Sequence, residues 1–331
     1  MCEVINVKKP IQEIFEEAIN KKASDISFLP KDGQYEIKFN IYGKIELYQT
    51  CSEDFGRQLL NYLKFKADMT ISEQRRPQLG SWVYRNDRQK IFCRISTVGN
   101  FLRKESMVVR LIYPNRIIDD AYFYPEQFYQ IQQACNKSGM IVFSGPMGSG
   151  KTTTMYNVAR RLKGKQIMTI EDPVEIYEPN FLQIQVNEKA QMSYPELLKV
   201  ALRHHPDIFV IGEIRDEKTA KVAINAALSG HLILTTVHAR NVYGVYQRLK
   251  NLGITDGELK QTLQLVSYQR MMSTTDGKAK ILFDQIDGDT LDYAIENQTN
   301  LKMTNNWRNR LEECYLNGEI STEIFEKFKE G

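Results

Sequence analysis

The eight residues Gly145, Pro146, Met147, Gly148, Ser149, Gly150, Lys151 and Thr152 constrain this chain more than any other stretch. They satisfy the pattern G-x-x-x-x-G-K-[ST] in full. The apolar run "MIVFS" before them reads as a buried strand, and "TTTMYNVARRL" after them reads as a helix. A strand, a Gly-rich turn and a helix N-terminus in that order make a cradle for phosphate oxygens. Gly145, Gly148 and Gly150 let the backbone bend and aim its N–H groups inward. The helix end adds partial positive charge at the same place. In such a loop Lys151 reaches the β- and γ-phosphates of a nucleotide, and the Thr152 hydroxyl ligates Mg²⁺. ATP and Mg²⁺ are therefore the expected ligands, with Thr153 the last residue of the binding stretch. A Gly-rich turn that binds nothing is the competing reading, and it leaves the flanking strand and helix unexplained.

The rest of the chain after residue 126 suits such a loop. The buried apolar runs "MIVFSG", "KQIMTIE", "DIFVIGE" and "HLILTTVH" alternate with helical stretches near 152–162, 193–205, 216–228 and 241–251. That alternation predicts an α/β domain with a mostly parallel sheet covered on both faces. The last 70 residues read as mainly helical, apart from a possible strand at "KILFDQI". Ahead of this region the pattern differs. Ile11, Ile14, Phe15, Ala18 and Ile19 share one helix face, and "ISFLP" reads as a strand. "QYEIKFNIYGKIELYQT" alternates and turns near Tyr42-Gly43, residues 53–66 look helical, and strands return between 80 and 112. This is an α+β pattern with an antiparallel sheet. "YPNRIIDDAYFYP" carries two prolines and no clear period, so it reads as a linker. The expected organisation is a smaller N-terminal α+β domain over 1–112, a linker over 113–125, and the ATP-binding domain over 126–331.

Composition narrows the class. The chain has 331 residues, enough for two domains, and it is 42% hydrophobic and 26% charged. A net charge of +3 is too small to argue for nucleic acid or an acidic membrane on its own. No apolar run approaches the roughly 20 residues of a membrane-spanning helix, and the first residues lack the apolar core of a signal peptide. A cytoplasmic location is expected. Cys2, Cys51, Cys93, Cys135 and Cys314 are scattered, which argues against a cysteine zinc site and against a disulfide framework, so no zinc is expected.

Two predicted strand ends carry acids. "TIEDPVE" supplies Glu171, Asp172 and Glu175, and Pro173 keeps that strand from running on into a helix. "IGEIRD" supplies Glu213 and Asp216, with Gly212 displacing the first acid by one position. Carboxylates at strand ends beside a phosphate loop manage the metal or the attacking water. Any one of them taken alone is more often a solvated loop residue.

With these motifs in order, the chain resembles the secretion ATPases of type II secretion and type IV pilus assembly. The resemblance covers almost the whole length. It rests on "GPMGSGKTTT", on the acidic stretch "TIEDPVE", on "LRHHPDIFVIGEIRD" and on the histidine-bearing "GHLILTTVHA". Within the family the chain is most similar to the competence-pilus assembly ATPases of Gram-positive bacteria. The resemblance implies a RecA-like ATPase domain preceded by a PAS-like one. It implies that Glu171 polarises the attacking water and that Glu213 helps hold Mg²⁺ through water. His231 and His238 match histidines assigned to sensing the γ-phosphate and ordering the acidic loop. Arg94 and Arg110 match arginines of the N-terminal domain that reach a nucleotide, and Arg203 and Arg215 match positions near phosphate or the subunit boundary. His204 and His205 read as structural or exposed. The resemblance also implies a homo-hexamer that sits peripherally on the cytoplasmic membrane. It would work on an inner-membrane pilus platform protein for DNA uptake, with no direct contact to nucleic acid. A retraction ATPase, a nucleotide-gated regulator or scaffold with little hydrolysis, and a nucleic-acid-translocating ring ATPase stay as alternatives.

Overall fold

Residues 8–20 close one face of helix α1 (Lys8–Asn20) around Ile11, Ile14, Phe15, Ala18 and Ile19, all buried, as their spacing predicts. A computed structural model describes residues 7–41, 44–86, 90–113, 121–187 and 190–331. It divides into two compact units, Met1–Pro114 and Asn115–Gly331. The turn expected at Tyr42-Gly43, residue Cys2 and most of the expected linker, 114–120, lie outside the described residues.

The first unit continues with β1 (Asp25–Lys31), β2 (Gln34–Ile41), β3 (Lys44–Ser52), α2 (Glu53–Lys66), β4 (Gln78–Arg85), β5 (Lys90–Gly99) and β6 (Glu105–Ile112). The six strands form one sheet in the order β3-β2-β1-β6-β5-β4. Every adjacent pair is antiparallel. Alternation along each strand sends Ile26, Phe28, Ile37, Phe39, Ile95 and Val109 into one core with the buried faces of α1 and α2. The opposite face carries the polar alternates. One cross-strand row on that face runs Ser81, Arg94, Arg110, Asp25, Asn40 from β4 to β2. The Lys64 ammonium is fully buried and is held by the Glu105 carboxylate at 2.9 Å and the Glu73 carbonyl at 2.7 Å. Removing either charge alone would strand its partner in the core.

The second unit opens with α3 (Pro125–Ala134), β7 (Gly139–Ser144), α4 (Lys151–Arg161), β8 (Ile167–Glu171) and β9 (Leu182–Gln185). Then come α5 (Tyr194–Ala201), β10 (Ile208–Ile211), α6 (Glu217–Leu228), β11 (Leu232–Thr236) and α7 (Val242–Asn251). The chain ends with α8 (Asp256–Thr262), β12 (Leu263–Ser273), β13 (Ala279–Asp287), α9 (Gly288–Glu296), α10 (Asn305–Leu316) and α11 (Thr322–Phe328). Seven strands make one sheet in the order β13-β12-β7-β11-β10-β8-β9. All neighbours are parallel except β12 and β13. Strands β7, β8, β10 and β11 are buried along their whole length. Alternation splits them between two cores: Met140, Val142, Met168, Ile170, Phe209 and Ile211 point to one. Ile141, Phe143, Ile167, Ile208 and Val210 point to the other, with Met155, Tyr156 and Val158 of α4. This is the RecA-like α/β plan, a mostly parallel sheet covered on both faces.

Two strands depart from the sequence reading. β12 falls where helix is expected, and β9 falls in a stretch to which the sequence assigns no element. β12 interleaves Gln264, Ser267, Gln269 and Arg270 with its apolar residues, which breaks the apolar run that marks its neighbours. Tyr122 bridges to Ile281 of β13, Phe123 N–H donates to the Ile281 carbonyl at 3.0 Å, and Pro125 opens α3. The end of the expected linker is thus tied into the second unit.

Candidate active site

The phosphate loop leaves the C-terminal end of β7 and enters α4. Gly145 has φ +141°, and a Cβ there would lie 2.4 Å from the Gln269 carbonyl oxygen, so only glycine fits. Gly150 caps α4 in the left-handed region, at φ +85°, and supplies no side-chain cap to the first-turn N–H groups. Gln269 of β12, fully buried, donates through Nε2 to the Ser149 carbonyl at 2.6 Å and pins the loop from beneath. The Lys151 ammonium donates to the carbonyls of Gly145 at 2.9 Å and Pro146 at 2.8 Å, so it lies folded along the loop. Burial lowers the Lys151 pKa, while the charges of Glu175 and Glu213 act against that.

The carboxyl ends of β7, β11, β10 and β8 meet at one edge because the strands are parallel and in register, with Ile211 beside both Ile170 and Thr235. Glu171, the last residue of β8, is 2% exposed. Its Oε1 accepts hydrogen bonds from the Thr169 hydroxyl at 2.9 Å and from the Tyr156 hydroxyl. Burial raises the Glu171 pKa, and those two hydroxyls pull it back. Glu213 lies two residues past β10. It pairs with Arg215, and His238 Nε2 lies 3.6 Å from its Oε2. That Oε2 is buried and accepts no hydrogen bond among the described residues. Lys151, Thr152, Thr153, Glu171, Glu213, Arg215 and His238 line one cavity of about 550 Å³, together with Met147, Gly148, Gly150, Asp172, Glu175, Tyr194, Gly212 and Thr236. A nucleotide-sized ligand suits that volume.

Gly212 owes its place to packing. A Cβ there would come within 3.1 Å of the Tyr194 hydroxyl and 3.4 Å of the Glu171 Cα and Cγ. The displaced acid on β10 therefore leaves a side-chain-free position beside the acid on β8.

Other residues singled out in the sequence lie elsewhere. His231 sits before the N-terminal end of β11, where its Nδ1 is 3.2 Å from the Ala226 carbonyl and its ring tilts on Phe209. Seven residues of extended chain, roughly 20 Å, separate it from His238, so the two do not share the cavity. Arg203 is exposed in a short turn, Leu202–His204, ahead of β10, at the edge away from the phosphate loop. Asp216 caps α6, accepting from the Thr219 amide at 2.9 Å. Arg94 and Arg110 belong to the first unit, on β5 and β6. Pro146 and Ser149 are in the loop, where the Ser149 hydroxyl is buried without a hydrogen-bond partner among the described residues. Sequence reasoning missed Tyr156, Thr169, Gln183, Tyr194 and Thr236. Each reaches the site through the fold, and no local pattern marks them.

The sheet, the loop and the two strand-end acids define a P-loop ATPase. The chain belongs to the type II/IV secretion system protein family, whose pattern spans residues 3–325. It is 40% identical over 269 residues to competence protein ComGA of Streptococcus pneumoniae R6, covering 80% of this chain and 85% of that protein. To ComGA of Bacillus subtilis 168 it is 36% identical over 273 residues, 81% of this chain and 76% of that protein. Two solved structures share the fold. The pilus retraction motor PilT with bound ADP superposes with a TM-score of 0.78 at 22% identity, covering 96% of each chain. The ATPase DotB of Legionella pneumophila gives 0.73 at 19% identity, covering 97% of this chain and 95% of that one.

Proposed function

We propose that this ATPase powers assembly of a competence pilus for DNA uptake, working as a homo-hexamer on a membrane platform protein. The observation that carries the enzymatic part is the single cavity shared by Lys151, Thr152, Glu171 and Glu213. The competence part is supported by the similarity to the two ComGA proteins over most of their length. Among the described residues no helix is long and apolar enough to cross a membrane, so contact with the membrane would be peripheral.

ATP is the substrate. The first-turn N–H groups of α4 and Lys151 bind its phosphates, Lys151 exchanging its two loop carbonyls for phosphate oxygens. The residues suit Mg²⁺: the free, buried Oε2 of Glu213 shares the cavity with Thr152, and Mg²⁺ takes only one or two protein oxygens. When bound, Mg²⁺ neutralises charge on the phosphates. Glu171 in its ionised form orients the attacking water and accepts its proton. Arg215 holds Glu213 in place, and His238 stands within reach of the same carboxylate. Arg94 and Arg110 stay candidate arginines for stabilising charge on the γ-phosphoryl. The test is a deletion strain complemented with Lys151→Ala. Loss of surface pili and of DNA uptake supports assembly; excess pili would point to retraction and overturn this reading.

A further inference from the structure

Tyr156 has no assigned role, yet it is a fully buried polar contact of the proposed base. It lies on α4, the helix that starts at Lys151, and its side chain is fully buried. A phenol has one hydrogen and two lone pairs. Gln183 Nε2 donates into a lone pair at 2.8 Å, which leaves the hydrogen for Glu171 Oε1. The Gln183 amide is itself fixed in orientation. Its Nε2 also donates to the Ile176 carbonyl at 2.7 Å, and its Oε1 accepts from the Glu178 amide at 2.7 Å. The two partners differ in kind, so flipping the amide would break both bonds. Glu178 then pairs with Arg160, one turn along α4 from Tyr156, with both side chains 9% exposed. The chain of contacts closes on itself: side chains tie α4 to β8, to β9 and to the segment 172–181, in addition to the backbone ladder between β8 and β9. That segment carries Asp172 and Glu175, which line the cavity.

We infer that Tyr156 and Gln183 form a relay that fixes the Glu171 carboxylate and couples it to the segment between β8 and β9, making Tyr156 a positioning residue for water activation. This rests on Glu171 being the water-activating group. The titratable groups around Glu171 are Tyr156 from α4, Glu175 from the segment and Tyr194 from α5, while Glu213 faces the same cavity from beyond β10. None of these others donates a side-chain hydrogen bond to Glu171; the remaining side-chain donor is Thr169. A buried carboxylate that loses one of two hydroxyl donors holds its proton to higher pH.

The experiment measures kcat against pH for the full chain and for Tyr156→Phe, Gln183→Leu and Glu171→Gln, with ATP affinity read by a fluorescent ATP analogue. Tyr156→Phe keeps the ring and so the packing of α4. Gln183 is half-buried on the edge strand and serves as a second variant should the first fail to fold. The relay predicts that Tyr156→Phe moves the acidic limb upward by about one pH unit with ATP affinity within about twofold. Gln183→Leu shifts it the same way by less. An acidic limb left at the wild-type position in both variants, with Glu171→Gln inactive, overturns the relay and leaves the role of Glu171 standing. Wild-type turnover in Glu171→Gln overturns that role, and the relay with it.

Discussion

Arg94 and Arg110 stand directly opposite each other on β5 and β6, with Asp25 next in the same row. Arg110 Nε donates to Asp25 Oδ1 at 2.9 Å. Facing side chains in such a pair lie roughly 4.5–5.5 Å apart at Cβ, and like charges there are unfavourable. A sheet optimised for stability alone would place Thr or Val at one of the two. Arg94→Thr removes that repulsion, and its melting temperature should stay within the equivalent of about 1 kcal/mol of wild type. On the role proposed for Arg94, turnover should fall by about 10³-fold. Calorimetry and steady-state ATPase assays check both halves. A stable variant with normal turnover would show that the row serves no catalytic purpose.

Glu171 and Glu213 reach one cavity in different states. One oxygen of Glu171 accepts from the hydroxyls of Tyr156 and Thr169, whereas Glu213 keeps a buried oxygen without a hydrogen bond among the described residues. That difference supports the proposed division, water to the first and metal to the second. Glu171→Gln should bind ATP and Mg²⁺ normally and lose about 10²–10⁴-fold in turnover. Glu213→Gln should raise the Mg²⁺ concentration needed for half-maximal activity. Titrating Mg²⁺ against activity in both variants separates the roles; unchanged Mg²⁺ dependence in Glu213→Gln removes it as a ligand.

In the second unit, the strands that were legible in the sequence are those where burial is two-sided. β7, β8, β10 and β11 are continuous apolar runs because both of their faces are covered. β12 was not legible although most of it is buried, since Ser267 and Gln269 satisfy their polar groups at a distance. Ser267 meets Gln285, and Gln269 meets the phosphate loop at Ser149. The site shows the same division. Lys151, Thr152, Glu171 and Glu213 are marked by motif spacing, while Tyr156 and Gln183 join the site only through side chains 27 residues apart. His231 shares a motif with His238 but sits at the opposite end of one strand, a separation set by strand length and invisible to spacing alone.

Asp284 of β13 gives the chain an expected pH dependence of stability. It is 1% exposed, accepts from the Thr304 amide at 3.2 Å and from the Thr304 hydroxyl, and burial pushes its pKa up to about 6. The folded value lies above the usual 3.8, so this group's contribution is full below about pH 4 and is lost as pH rises through about 6. The loss is on the order of 3 kcal/mol. Unfolding free energies from urea titrations between pH 4 and 7 should fall by that amount in the wild type, net of other groups. In Asp284→Asn, which cannot ionise, this component of the slope should vanish.

Gly212 separates packing from chemistry. Its backbone is not in the left-handed region, so alanine is conformationally permitted there. The added Cβ would press on the Tyr194 hydroxyl at 3.1 Å and touch Glu171 at 3.4 Å. The first distance requires the hydroxyl to give by a few tenths of an ångström, and the second is ordinary van der Waals contact. Tyr194 is free to yield by a few tenths of an ångström, so folding should survive, at a cost of about 1 kcal/mol. Tyr194 lines the cavity beside Glu171, so its shift changes the surroundings of the base, and small misplacements around a catalytic group cost heavily in rate. Gly212→Ala is expected to keep ATP affinity within about twofold and to lose roughly tenfold or more in kcat. A kcat equal to wild type in a variant with a normal melting temperature would mean that the contact between these two strand ends does not position the base.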